Sequence, residues 1–146
     1  MRGGFLLDVN VLIAMAWPTH TAHEKVQEWL SRQARAGWAT CPLTQTAFVR
    51  ILSNPAFSPN ALTPADALTL LKANLEHPAH RFWEDDLSFA EALEPLTARL
   101  SGHQQVSDAY LLGLAIHKKG KLATMDRAVS ALLREKHRER EFIALI

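Results

Sequence analysis

Three aspartates stand where apolar strands end or apolar helices begin: Asp8 in Phe5-Leu6-Leu7-Asp8-Val9-Asn10, Asp108 in Val106-Ser107-Asp108-Ala109-Tyr110-Leu111, and Asp126 in Leu122-Ala123-Thr124-Met125-Asp126. Acids so far apart in sequence share a site only if the fold gathers the strand ends. A parallel α/β sheet does this, because ligands bind at the carboxyl ends of its strands. Carboxylates gathered there hold a hard divalent cation such as Mg²⁺. Taken singly, each aspartate has a plainer use as a helix N-cap that accepts a backbone N–H. Asn10 follows Asp8 by two residues, so it could orient that carboxylate or add a carbonyl oxygen; Thr124 places a hydroxyl beside Asp126. Asp108 precedes a strongly apolar helix, and the partial positive charge of a helix N-terminus favours its ionised form.

The elements that must position these acids alternate along the chain. Phe5–Leu7 reads as a short buried strand and Val11–Ala16 as a short helix stopped by Pro18. Thr21-Ala22-His23-Glu24 has capping-box spacing ahead of a helix with Val26, Trp29, Leu30 and Ala34 inside, ended by Gly37. Trp38–Cys41 reads as a strand, and Pro42 as the turn into a helix over Gln45–Leu52 capped by Thr44 and ended by Asn54 and Pro55. Thr63-Pro64-Ala65-Asp66 starts a helix whose inner face is Leu68, Leu71 and Leu75. His80–Trp83 reads as a strand, and Ser88-Phe89-Ala90-Glu91 as a second capping box opening a helix toward Leu100 despite Pro95. A loop at Ser101–Gln105, a helix Ala109–Lys118 stopped by Gly120, a strand Lys121–Met125, a helix Arg127–Lys136 and a strand Phe142–Ile146 complete the chain. Strands alternating with helices predict a parallel sheet covered on both faces.

At 146 residues the chain is expected to form one domain, 1–146, with a core that needs no covalent staples. Its 48% hydrophobic and 21% charged residues are those of a soluble globular protein, and the formal charge of +1 excludes neither nucleic acid nor protein partners. Between Lys118 and Arg140 lie eight Lys or Arg against three acids, whereas Glu76–Glu94 holds six acids and one Arg. That asymmetry suits a polyanionic substrate, and equally a solvated helix face. Cys41 is the single cysteine, which excludes an internal disulfide and a cysteine-based zinc site. The apolar N-terminal stretch is interrupted by Asp8 and Asn10, is too short to span a bilayer and lacks the pattern of a signal peptide. The expected location is the cytoplasm, without membrane contact.

Taken in order, Leu7-Asp8-Val9-Asn10-Val11-Leu12-Ile13, Cys41-Pro42-Leu43-Thr44-Gln45 with Phe48-Val49-Arg50, Asp108-Ala109-Tyr110-Leu111-Leu112 with Leu114-Ala115, and Leu122-Ala123-Thr124-Met125-Asp126 resemble the PIN-domain ribonucleases, and more narrowly the VapC-type toxins of bacterial toxin–antitoxin pairs. The resemblance covers nearly the whole chain. It implies a three-layer α/β/α sandwich with a short parallel sheet, and Mg²⁺- or Mn²⁺-dependent hydrolysis of RNA phosphodiesters. It implies that Asp8, Asp108 and Asp126 hold the metal. It further implies an antitoxin that lays its C-terminal segment across the acidic site, and a homodimer of the toxin.

One position departs from the family pattern. Many members carry glutamate where this chain has Gln45, so the expected pocket has three carboxylates and an amide. Gln45 is retained as a candidate catalytic residue that ligates the cation or holds a water on it, with weaker metal affinity expected. Asp85 and Asp86 are alternatives for the missing acid, read more simply as solvated loop residues. Arg50, beyond Gln45 on the same helix, is a candidate RNA contact or ion-pair partner. His20 and His23 have no further ligand to complete a zinc site and are assigned to the site rim or a cap. Of the four tryptophans, Trp29 and Trp38 fit the core pattern. Two other functions remain open: a degenerate PIN scaffold that binds RNA or protein without cutting, which Gln45 favours, and a phosphatase of the haloacid-dehalogenase type. The second needs an acid two residues after Asp8, where Asn10 cannot supply a proton.

Overall fold

The computed structural model describes residues 3–35, 37–96 and 100–146. Five strands form one parallel sheet: β1 (Phe5–Leu7), β2 (Trp38–Thr40), β3 (His80–Phe82), β4 (Lys121–Thr124) and β5 (Ile143–Leu145). They lie in the order β3-β2-β1-β4-β5, with Leu6 opposite Ala39 on one side and Leu122 on the other. The chain therefore steps outward from β1 to β3, then returns to the far side of β1 through β4. The reversal falls between β1 and β4, and crevices for ligands open at such a point beyond the carboxyl ends of the strands. Asp8 continues the ladder there, its N–H donating to the Ala123 carbonyl at 2.9 Å.

The pleat sends alternate residues to opposite faces. Leu7 and Ala123 join a core with the helices α1 (Val9–Ala16), α2 (His23–Gln33), α3 (Pro42–Leu52) and α4 (Pro64–Leu75). Leu6 and Leu122 join a second core with α6 (Gln105–His117), the 3₁₀ turn Arg127–Leu132, and flanking side chains of α5 (Phe89–Leu93) and α7 (Glu139–Phe142). These are the two outer layers of the α/β/α sandwich. A Cβ on Gly113 of α6 would overlap the Ala92 carbonyl oxygen at the end of α5, so the crossing of these helices depends on glycine.

Several boundaries differ from the sequence expectations. Helix α3 begins at Pro42 with Cys41 as its cap residue, and the expected cap Thr44 lies inside it, its hydroxyl exchanging bonds with the Cys41 N–H and carbonyl at 3.0 and 3.1 Å. Thr21 does not cap α2; Ala22 precedes the helix, and His20 Nδ1 accepts its N–H. Leu71 of α4 faces the core as expected, but Leu68 is 43% exposed and Ala67 takes its place inside. The Ser88–Glu91 capping box forms, but α5 stops at Leu93 before Pro95; the rest of the expected helix includes residues 97–99, outside those described. Helix α6 starts four residues early, at Gln105, and it ends with Lys119 in the left-handed region at φ 60°. Gly120 follows for another reason, since a Cβ there would lie 2.6 Å from the Gly4 carbonyl oxygen. The segment after Asp126 forms 3₁₀ turns rather than one long helix.

Candidate active site

Asp8 lies directly beyond β1 and is only 4% exposed, with α1 beginning at the next residue. Its side chain caps nothing. Instead the Thr124 hydroxyl at the end of β4 donates to Asp8 Oδ2 at 2.9 Å. Thr124 Oγ1 in turn accepts the Asp126 N–H at 3.1 Å, so one buried hydroxyl fixes both acids across the reversal point. Asp126 is exposed, and its Oδ1 accepts the Ala128 N–H at 2.9 Å at the start of the 3₁₀ turn. The plain capping role therefore holds for Asp126, which still has a second carboxylate oxygen. Asp108 is no cap either: it sits in the first turn of α6, half-buried.

Electrostatics tie the third acid to the first two. Burial, then the charge of Asp8, then that of Asp126 push the Asp108 carboxyl up to about 6. Asp8 is also raised, chiefly by burial and least by Asp126, against the lowering effect of the Thr124 hydrogen bond. Like charges and desolvation both disfavour ionisation, so the protein does not fully compensate the charge of Asp8 or of Asp108. Asp108 and Asp126 face a cavity of about 500 Å³ whose far wall is the loop ahead of α6.

The other candidates are placed as follows. Gln45 occupies the first turn of α3, half-buried, and its Nε2 donates to the Thr40 hydroxyl at 2.9 Å. Thr40 Oγ1 lies 2.7 Å from His80 Nε2, and burial is the largest factor lowering the His80 pKa. Gln45 thus stands over the neighbouring strand end, attached to β2 and β3. Asn10 is exposed and makes no hydrogen bond to Asp8 among the described residues; Thr124 does that orienting. Arg50 is exposed near the end of α3, without an ion pair among the described residues. Asp86 is bound to Lys118 Nζ at 3.0 Å, at the opposite end of α6 from Asp108, which removes it as a fourth acid. The ten residues between Asp108 and Lys118 span about 15 Å of helix. His23 Nδ1 reaches the Ala14 carbonyl at 2.7 Å and Gln27 the Met15 carbonyl at 3.0 Å, so the α2 residues pin the end of α1. The basic C-terminal segment is partly neutralised, Arg138 pairing with Glu135 and Glu141. Trp38 is buried, as expected, and Trp29 is half-buried against Phe5.

Among the described residues no group of three or more acids, histidines or cysteines is placed so as to hold a metal ion by itself. Mg²⁺ asks less of a protein than three ligands, since one or two carboxylates bind it and water completes its octahedron. The donors are all oxygen, two of the carboxylates open onto one cavity, and Asp108 carries uncompensated repulsion that a cation relieves. Oxygen donors of this kind fit a hard divalent ion.

Comparison with known proteins agrees with this geometry. The family model described as PIN domain matches residues 5–134. Ribonuclease VapC38 of Mycobacterium tuberculosis (strain ATCC 25618 / H37Rv) is 43% identical over 131 residues, 90% of this chain and 91% of the relative. Ribonuclease VapC39 of the same species (strain CDC 1551 / Oshkosh) is 39% identical over 125 residues, 86% of this chain and 90% of the relative. A chain in the crystal structure of VapBC2 from Rickettsia felis, bound to a DNA fragment from their promoter, shares the fold with a TM-score of 0.60 at 12% identity, over 95% of each chain. With a parallel sheet whose reversal point joins Asp8 to Asp126 through Thr124, and with relatives of this closeness over nearly nine-tenths of its length, the chain belongs to the PIN-domain family, among the VapC ribonucleases.

Proposed function

We infer that this protein is an endoribonuclease toxin of a toxin–antitoxin pair, a single nuclease domain that hydrolyses RNA phosphodiester bonds with the help of a divalent cation, Mg²⁺ or Mn²⁺. The observation that carries the reading is the Thr124 hydroxyl joining Asp8 to Asp126, with Asp108 raised by the charge of both. When bound, the cation supplies Lewis acidity to the scissile phosphate and to the attacking water. The protein supplies the rest. Thr124 holds Asp8 Oδ2 in one orientation, so that buried carboxylate need not be organised during reaction. The Asp126 backbone is fixed by the same hydroxyl, and its Oδ1 by Ala128 N–H, which leaves Oδ2 to turn toward the cavity. Asp108 keeps a proton to about pH 6 and must release it before its carboxylate serves. Gln45 orients through Thr40 and adds no charge.

The partners follow from the same reading: an RNA substrate, a cognate antitoxin protein that silences the site, and a second copy of the chain as a homodimer. Its place of action is the cytoplasm; among the described residues no helix is long and apolar enough to cross a membrane. The test uses purified protein with Mn²⁺ and RNA. Cleavage should occur with the parent and be lost in Asp8→Asn, Asp108→Asn and Asp126→Asn, and a small antitoxin gene immediately upstream should relieve growth inhibition on co-expression. RNA binding without cleavage at any Mn²⁺ concentration would favour the degenerate scaffold instead, with Gln45 as its cause. Equal toxicity with and without the neighbouring gene would remove the toxin–antitoxin assignment.

A further inference from the structure

The acids occupy only one side of the cavity of about 500 Å³. The other side is the loop Ser101–Gln105, and the floor is formed by Ala128, Val129 and Leu132. Among the described residues no lysine or arginine lines it. Apart from the ion that the two aspartates would hold for the scissile phosphate, the described lining offers no cation, so its loop side does not suit further RNA backbone, which proteins bind chiefly through cations. The loop offers neutral donors and acceptors, an imidazole and an apolar floor. That is the chemistry by which single-stranded RNA bases are held: stacking on a flat side chain, with hydrogen bonds to the base edge.

The loop is built to keep its shape. Gln105 Oε1 accepts both the Ser101 N–H, at 2.7 Å, and the Ser101 hydroxyl, at 3.0 Å, while the Gln105 N–H returns to the Gly102 carbonyl at 3.1 Å. Gln105 is therefore spent on closing the turn. His103 and Gln104 are exposed at its tip, and neither side chain makes a hydrogen bond among the described residues. The volume falls within the range of small-molecule pockets, and helix α6 joins the loop directly to Asp108.

We propose that this cavity is the subsite for the nucleobase adjoining the scissile phosphate, with Gln104 reading the base edge, His103 stacking on its face and Gln105 acting as a positioning residue. The proposal rests on the ribonuclease reading for its biological meaning but makes a claim about base binding that stands without cleavage. A bidentate amide contact discriminates between bases by about tenfold or more.

Two measurements separate the claims. In the first, the full-length protein cuts a randomised RNA pool in Mn²⁺ and the cut ends are sequenced. The parent should show a base preference at a position flanking the cut, which Gln104→Ala flattens by about tenfold and His103→Ala weakens, while Gln104→Glu, with only acceptors to offer, shifts the preference to another base. In the second, adenosine, guanosine, cytidine and uridine are titrated without metal onto ¹⁵N-labelled protein. One of them should shift the amides of residues 101–105 and of Val129, and Gln104→Ala should reduce that shift. Nucleoside shifts without any cleavage would uphold the base pocket and remove the ribonuclease reading. A parent preference that survives both alanine substitutions overturns the base pocket and leaves the ribonuclease reading standing. No shift in residues 101–105 with any nucleoside also overturns it.

Discussion

Replacing Asp108 by asparagine should stabilise the metal-free protein at neutral pH, and by an amount that depends on pH. The folded carboxyl is raised from an ordinary 3.8 to about 6 by burial and by Asp8 and Asp126. Taken at face value, roughly two units at about 1.36 kcal/mol each set a ceiling near 3 kcal/mol. Asp108 is only half-buried, and solvent screening lowers this to about 1.5 kcal/mol. The substitution also gives up a negative charge in the first turn of α6, which contributes about 0.5 kcal/mol to a helix N-terminus. Repulsion and desolvation win, leaving a net gain of about 1 kcal/mol, or roughly 3 °C in Tm for a chain of this size. Folded Asp108 keeps its proton to about pH 6, whereas the unfolded chain releases it near 3.8. The folded state binds the additional proton between those values, so the parent gains stability as pH falls through about 6 and loses it as pH rises. The variant lacks this dependence. Differential scanning calorimetry in chelator from pH 4.5 to 8 should therefore show the Tm difference widest at pH 8 and narrowing steadily toward pH 4.5. His80, lowered mainly by burial, favours the opposite pH trend in both proteins, and subtraction cancels it. A variant that melts at or below the parent temperature at pH 8, or a difference that does not change with pH, would refute the account of the site as a set of mutually repelling acids.

Three further outcomes follow. Thr124→Val keeps the volume but leaves buried Asp8 Oδ2 and the Asp126 N–H without their partner; it should cost about 1–3 kcal/mol by chemical denaturation and lower RNA cleavage, whereas Thr124→Ser should retain both. Equal behaviour of the two variants would mean that the hydroxyl positions nothing. Gly113→Ala should lower Tm by several degrees, because overlap with the Ala92 carbonyl, at about 1–3 kcal/mol, exceeds the helix-propensity gain of about 1 kcal/mol; an unchanged Tm would show that α5 and α6 have room to spare. Gln45→Glu should lose about 1 kcal/mol in chelator and recover part of it with Mn²⁺, read as a larger metal-induced rise in Tm than the parent's; identical metal titrations would place residue 45 outside the metal's reach.

The sheet was legible because each strand is an apolar run bounded by turn or cap residues, and the order of strands and helices allows few arrangements. The reversal point between β1 and β4 could be anticipated from fold class, since Asp8 and Asp126 both end strands. Helix starts were less legible. Thr44 and Thr21 both have the right chemistry for a cap, yet Pro42 supplies a preset φ that starts α3 earlier, and His20 takes the N–H that Thr21 would have needed to organise. Asp108 lies inside α6 rather than before it because Gln105 closes its own loop onto Ser101, adding a turn that no apolar periodicity announces. The pairing of Thr124 with Asp8, 116 residues away in sequence, depends on strand register, which local spacing does not encode. Asn10 was the nearer choice, and it points into solvent-exposed surface instead.

The neutral residue at position 45 has a structural counterpart. Thr40 is fully buried at the end of β2, and its hydroxyl must be satisfied there. Gln45 Nε2 donates to it, which leaves the Thr40 proton to go to His80 Nε2, 2.7 Å away, and burial keeps that imidazole neutral and able to accept. A carboxylate at position 45 has no proton to donate. Thr40 would then have to give its one proton either to the acid or to His80, and the other would be left unpaired near the sheet edge. The amide thus secures the β2–β3 end of the crevice at the expense of a fourth negative charge, and the acids that remain are those held by β1, β4 and α6. In the site proposed above, a cation would rest on three carboxylates, one of which is protonated below about pH 6. Metal affinity should weaken as pH falls through that value, because the ion and a proton compete for Asp108.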